Sequence, residues 1–165
     1  MNVGLLGSTF RRYRFRLWPP LHAHGDVQTR SRELLEVVGL EPYRNVEVRH
    51  LSYGHQRQLE IALALAPEPA LLLLDEPTAG LSQAEIAEMR RLLASLPAGL
   101  TVLVVEHHLE VIFEFVKRVL VMDSGGIIMD GPPSDVRRNA RVQDLYFGAG
   151  AAAHAGGRAK IALQD

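Results

Sequence analysis

Four leucines, Leu71 to Leu74, run without interruption into Asp75, Glu76 and Pro77. An unbroken apolar run of strand length has no polar face to turn towards water. With Ala70 before it, the run Ala70–Leu74 suits a strand covered on both sides, as in a parallel sheet. Thr101–Val105 is a second run of the same kind. Amphipathic segments of helical period lie before and between the two runs. Strand, helix and strand in alternation point to an α/β layer with a parallel sheet. Ligands of open α/β sheets gather at the carboxyl ends of the strands. Asp75 and Glu76 therefore stand where a ligand is expected.

Thr29–Leu40 reads as a helix with Leu34, Leu35 and Val38 on one face. Thr29 or Ser31 can cap it, and Gly39 ends it. Gln56–Ala66 reads as a second helix, stopped by Pro67 and Pro69. Ala84–Leu96 is amphipathic through Ile86, Met89, Leu92 and Leu93, and Leu109–Lys117 is a short helix. Val119–Met122 and Ile127–Met129 flank Ser124-Gly125-Gly126 as a hairpin, and Ser134 can cap a last helix. From Gly148 onward large apolar groups are scarce, and the tail is expected to be disordered.

The 165 residues suit one domain with a real core. A net charge of −1 provides no global field for nucleic acid or an anionic membrane. The Arg11–Trp18 stretch, which interleaves cations and aromatics, reads as a solvated face on that ground. Cysteine is absent, which excludes disulfides and thiolate metal sites. The apolar runs are far shorter than a membrane span, and the first residues show no signal pattern. The chain reads as soluble, with any membrane association made through a partner.

An Asp at the end of a buried strand can hold magnesium against nucleotide phosphates, which makes Asp75 the metal candidate. Glu76 beside it can orient and deprotonate an attacking water. Ser52-Tyr53-Gly54 lies where a loop becomes a helix, with free N–H groups, a hydroxyl and a glycine that allows close approach. Those parts can grip a terminal phosphate, although simple capping by Ser52 has the same local appearance. His107 follows the second strand and reaches the same sheet edge, where it can bond a phosphate and the attacking water. Glu106, His107 and His108 are adjacent, and so cannot readily converge on one ion. His22 and His24 meet the same objection.

Together these residues resemble the ATP-binding-cassette (ABC) transporter ATPases, in particular the subgroup that powers branched-chain amino-acid uptake. Leu51-Ser52-Tyr53-Gly54-His55-Gln56-Arg57 resembles the signature motif. Leu71–Glu76 resembles the Walker B strand, Ala79-Gly80-Leu81-Ser82 stands at the D-loop, and Glu106-His107 resembles the switch-histidine motif. Asp123–Pro132 is similar to the family's terminal hairpin, and residues 144–148 to its closing motif. His55, Ser82 and His108 depart from the family's usual residues.

The resemblance implies an α/β fold: an incomplete P-loop NTPase core of parallel strands plus helices, with a helical signature subdomain. It divides the chain into 1–66, the helical signature subdomain; 67–148, the later part of the ATPase core; and 149–165, the disordered tail. It implies ATP and Mg2+ as cofactors, with Ser52, Tyr53, Gly54, Gln56 and Ser82 in nucleotide binding. Asp75 falls to the metal, Glu76 and His107 to catalysis. The implied partners are a second ABC ATPase subunit, transmembrane permease subunits and, indirectly, an external substrate-binding protein, with no nucleic acid. The implied place is the cytoplasmic face of the membrane, held there through the permease.

Neither lysine, Lys117 or Lys160, has the Gly-x-x-x-x-Gly-Lys-Ser/Thr context of a phosphate loop. The isolated chain is therefore expected not to hydrolyse ATP. It reads as an importer ATPase subunit lacking its front part. The alternatives are a short partner that donates its signature motif in trans, and a non-functional fragment.

Overall fold

The computed structural model describes residues 25–107, 112–146 and 159–163. They fall into two compact units. One holds the described residues up to Ala70 together with Leu81–Leu96, and the other holds Leu71–Gly80 together with those from Pro97 onward.

The first unit is helical. Helix α1 spans Gly25–Val37, α2 Tyr53–Leu65 and α3 Gln83–Ala94, with short 3₁₀ turns at Glu41–Tyr43 and Val48–His50. Helix α1 starts before Thr29, so neither Thr29 nor Ser31 caps it. Ser31 is buried one turn in, and its hydroxyl donates to the Val27 carbonyl at 2.7 Å. Gly39 does end the helix. Its φ is +74°, the Leu40 amide donates to the Leu35 carbonyl, and the Gly39 amide donates to that of Glu36. These are the paired bonds of a Schellman stop, which favours glycine at that position. Leu34, Leu35, Val38 and Leu40 are buried, as are Leu59, Ile61, Ala62 and Leu65 of α2 and Met89, Leu92 and Leu93 of α3. Helix α3, expected within the 67–148 segment, groups with this unit instead.

The second unit is a five-stranded sheet. Its strands are β1 (Leu71–Asp75), β2 (Thr101–Glu106), β3 (Arg118–Asp123), β4 (Gly126–Gly131) and β5 (Ala159–Leu163). Two short helices, α4 (Pro133–Arg138) and α5 (Ala140–Tyr146), precede the last strand. The spatial order is β1-β2-β5-β3-β4. β1 and β2 pair in parallel, with Leu71 opposite Thr101 and Asp75 opposite Val105. That register brings the residues just after each strand to one edge. β3 and β4 form the expected hairpin, turning through Ser124 and Gly125, both at positive φ. Two left-handed residues in a two-residue loop match the right-handed twist of the strands. Arg118 closes the hairpin at its open end by donating two bonds to the Asp130 carboxylate.

Two expectations change here. Residues 159–163, expected in a disordered tail, form β5, antiparallel to both β2 and β3. The sheet is therefore mixed, with β1 and β2 as its parallel part. Ser134 lies inside α4, whose cap position is Pro132 with no side-chain bond. The stretch Arg11–Trp18, His22, His24 and His108 lie outside the described residues, as do Leu109–Val111 of the expected short helix and Phe147-Gly148 of the closing motif.

Candidate functional site

The candidate residues form two constellations, one on each unit. On the sheet unit, β1 ends at Asp75 and the chain leaves it through Glu76, whose amide still donates to the Val105 carbonyl at 2.8 Å. Glu76 has φ +47°, a left-handed conformation that costs a non-glycine residue energy and turns the chain sharply off the strand. On the neighbouring strand β2 ends at Glu106, followed by His107. The parallel register brings His107 beside Glu76: Nδ1 lies 3.6 Å from Glu76 Oε1 and 3.5 Å from Glu106 Oε2. Both His107 and Glu76 are part exposed, so water can reach them.

Glu106 is different. It is buried, and its carboxylate holds the turn after Glu76 in place. Oε1 accepts from the Thr78 amide and hydroxyl, and Oε2 accepts from the His107 amide at 2.9 Å. A buried carboxylate left without such donors would be costly. The pair Thr78–Glu106 thus fixes the backbone on both sides of the Glu76–His107 approach.

Asp75 is exposed at the carboxyl end of β1. One carboxylate beside a strand end suits magnesium, which keeps most of its water and takes substrate phosphate for the rest. That donor chemistry fits the expected metal role of Asp75.

On the helical unit, Ser52 is the N-cap of α2. Its Oγ accepts from the His55 amide at 3.1 Å. Gly54 is buried in the first turn. Tyr53 is exposed, and its hydroxyl accepts from Arg57 Nη2 at 2.7 Å, with the guanidinium also over its ring. Gln56 Nε2 donates to the carbonyls of Leu51 at 3.1 Å and Val48 at 3.4 Å in the preceding loop. The ring of His55 packs on Tyr43 at 4.3 Å. Ser82 is the N-cap of α3. It forms a capping box in which its hydroxyl accepts from the Glu85 amide and the Glu85 carboxylate reaches back to the Ser82 amide.

Glu85 does more than close that box. Its Oε1 accepts from the Ser52 hydroxyl at 3.2 Å and from the Gly54 amide at 3.1 Å, while Oε2 accepts from the Ser82 amide and hydroxyl. These donors, those of Ser82 first and then the Gly54 amide, lower its pKa to about 2. The sequence reading passed over Glu85, Thr78 and the structural part of Glu106. Only the first had a local signal, the Ser-x-x-Glu spacing from Ser82.

Residues 7–79 match the family model described as ABC transporter. The chain is 32% identical over 150 residues to the high-affinity branched-chain amino acid transport ATP-binding protein LivG of Salmonella typhimurium, covering 90% of this chain and 57% of that protein. It is 31% identical over 150 residues to the corresponding protein BraF of Pseudomonas aeruginosa, with the same two shares, 90% and 57%. It thus spans a little over half the length of these relatives. The fold is similar to that of MJ1267, an ATP-binding cassette of an ABC transporter, in its ADP conformation. The TM-score is 0.72 at 24% identity, over 89% of this chain and 61% of that one. With the ordered motifs from Ser52 to His107 and an α/β, P-loop NTPase-like fold, the chain belongs to the ABC transporter ATP-binding family.

Proposed function

We propose that the chain is the later part of an ATP-hydrolysing subunit that powers branched-chain amino-acid uptake. The observation that carries this reading is the approach of His107 to Glu76 at the carboxyl ends of two parallel strands. Ser52 and Gly54 grip the terminal phosphate of an ATP whose other phosphates lie on a second subunit's loop. The other constellation serves a different ATP, the one on the chain's own subunit: there Asp75 would hold Mg2+, which would neutralise phosphate charge. Glu76 takes the proton of the attacking water, help typically worth about 10²–10⁴ in rate. His107 holds the terminal phosphate and that water in line. Tyr53 lies on the exposed side of the same helix start. Gln56 and Ser82 belong with Tyr53 to the nucleotide-binding residues.

The physical partners on this reading are a second ABC ATPase subunit and transmembrane permease subunits, with an external binding protein acting through them. The chain then sits peripherally on the cytoplasmic side of the membrane. Among the described residues no helix is long and apolar enough to cross a membrane, which fits attachment through a permease.

The test is ATPase turnover. The chain alone has no Gly-Lys-Ser/Thr loop and is expected to give no turnover above background. Joined to a front segment carrying that loop, it is expected to hydrolyse ATP. There Glu76→Gln should bind ATP but lose about 10²-fold or more in rate. Undiminished hydrolysis by the Glu76→Gln form would reject the assignment of the base.

A further inference from the structure

We propose that Glu85 is a built-in anion that occupies the phosphate-gripping donors of Ser52 and Gly54, and that it must swing off them before a terminal phosphate can be held there. The proposal rests on the reading of Ser52 and Gly54 as phosphate donors given above. It adds an autoinhibitory contact to that site.

The geometry is specific. The capping box of α3 needs only Ser82 and Glu85, three residues apart. The bonds from Ser52 and Gly54 cross 33 and 31 residues of sequence to reach the same carboxylate. They are no part of any capping requirement of α3. The donors they use are a hydroxyl and a backbone amide at the positive end of α2, a helix of 13 residues. Such an end attracts anions. One carboxylate oxygen, Oε1, accepts from both donors, as a single phosphate oxygen would.

The space in front of Gly54 is already taken. A Cβ placed on Gly54 would lie 2.6 Å from Glu85 Oε1. Absence of a side chain at Gly54 is what lets an oxygen sit against its amide, and the oxygen now seated there is that of Glu85. Only one anion can take that amide and the Ser52 hydroxyl with good geometry, so carboxylate and phosphate compete.

Release has a simple route. Glu85 Oε2 is held separately, by the amide and hydroxyl of Ser82 at 3.0 and 2.8 Å. Rotation of the side chain can withdraw Oε1 from α2 while the bonds to Ser82 keep α3 capped. The carboxyl is strongly acidic and stays ionised through the neutral range. The contact therefore yields to a competing anion and not to protonation.

The experiment uses the whole chain together with a complete, hydrolysis-blocked ABC cassette loaded with ATP and magnesium. Affinity is measured by titration, and the Gly54 amide is followed by NMR. Wild-type chain, Glu85→Gln and Glu85→Asp are compared. Gln has no charge, and Asp keeps its charge but is one methylene too short to serve Ser82 and Gly54 together. Both are expected to bind about tenfold more tightly than wild type, which corresponds to about 1.4 kcal/mol. In both, the Gly54 amide should shift on binding, and adding Ser52→Arg should abolish the gain. If one variant fails to fold, the other decides.

Equal or weaker binding by the variants, with the Gly54 amide shifting in every chain, overturns the role of Glu85 and leaves the phosphate-donor reading standing. No shift of Gly54 in any chain, including wild type at saturating cassette, overturns that reading and this proposal with it.

Discussion

Glu85 serves two helices at once, and most of what is distinctive about the helical unit converges on it. Four donors from Ser52, Gly54 and Ser82 face its carboxylate. They favour the ionised form, so its pKa in the fold, about 2, lies below the ordinary value of 4.5. The bonds stabilise the fold fully above the unfolded pKa, and their contribution is lost as pH falls from about 4.5 towards 2. Urea melts at pH 6, 4 and 3 should show the wild-type midpoint falling towards that of Glu85→Gln. A constant gap between the two proteins across that range would contradict the assignment. Ser52 and Gly54 could be singled out from sequence because a hydroxyl and a glycine at a helix start have local meaning. The partner of both could not, since nothing in residues 52–54 encodes a bond to a side chain on another helix. Likewise Glu106 could be read as the neighbour of His107, but its hold on Thr78 depends on the parallel register of two strands.

At the scale of elements, stop signals were the most legible. Gly39 ends α1 by a left-handed residue that satisfies two carbonyls, and Ser124-Gly125 turns the hairpin by the same conformational freedom. Nothing lies within 4 Å of a Cβ built on Gly39, so substitution there meets backbone strain and no clash. Gly39→Ala should destabilise by about 1 kcal/mol, the cost of forcing an L-residue into that region. Equilibrium denaturation measures it, and an unchanged midpoint would show that α1 can end another way. Start signals were less legible. Ser31 resembles a cap but spends its hydroxyl on the preceding turn, because the apolar face of α1 continues back to buried Val27. Strand β5 had no usable local signal. Ala159-Lys160-Ile161-Ala162-Leu163 is short and lies in a Gly/Ala-rich region. Its state is set by the two strands that flank it, which is how tertiary context overrides a weak β pattern.

For the whole molecule, the α/β class and the parallel pair could be read from the two apolar runs. The grouping of α3 with the helical unit could not, since it depends on packing between segments distant in sequence. The sheet carries one hazard. Among the described residues β1 is an edge strand, and Leu71 and Leu73 are 52% and 64% exposed. An apolar edge with free backbone donors and acceptors invites pairing with other chains. Leu73→Lys should lower self-association, seen as reduced light scattering at equal concentration and a later onset of aggregation on heating. Unchanged scattering would place the sticky surface elsewhere.

β5 is bonded on both sides, and it separates β2 from β3. The sheet therefore resembles an arch whose keystone comes from remote sequence. Until that ribbon arrives, the Glu76–His107 pair belongs to a two-stranded fragment, and two-stranded fragments are barely stable in water. Clipping the chain after α5 would leave Asp75, Glu76 and His107 in place along the polypeptide, yet the layer on which they stand would fall into two halves.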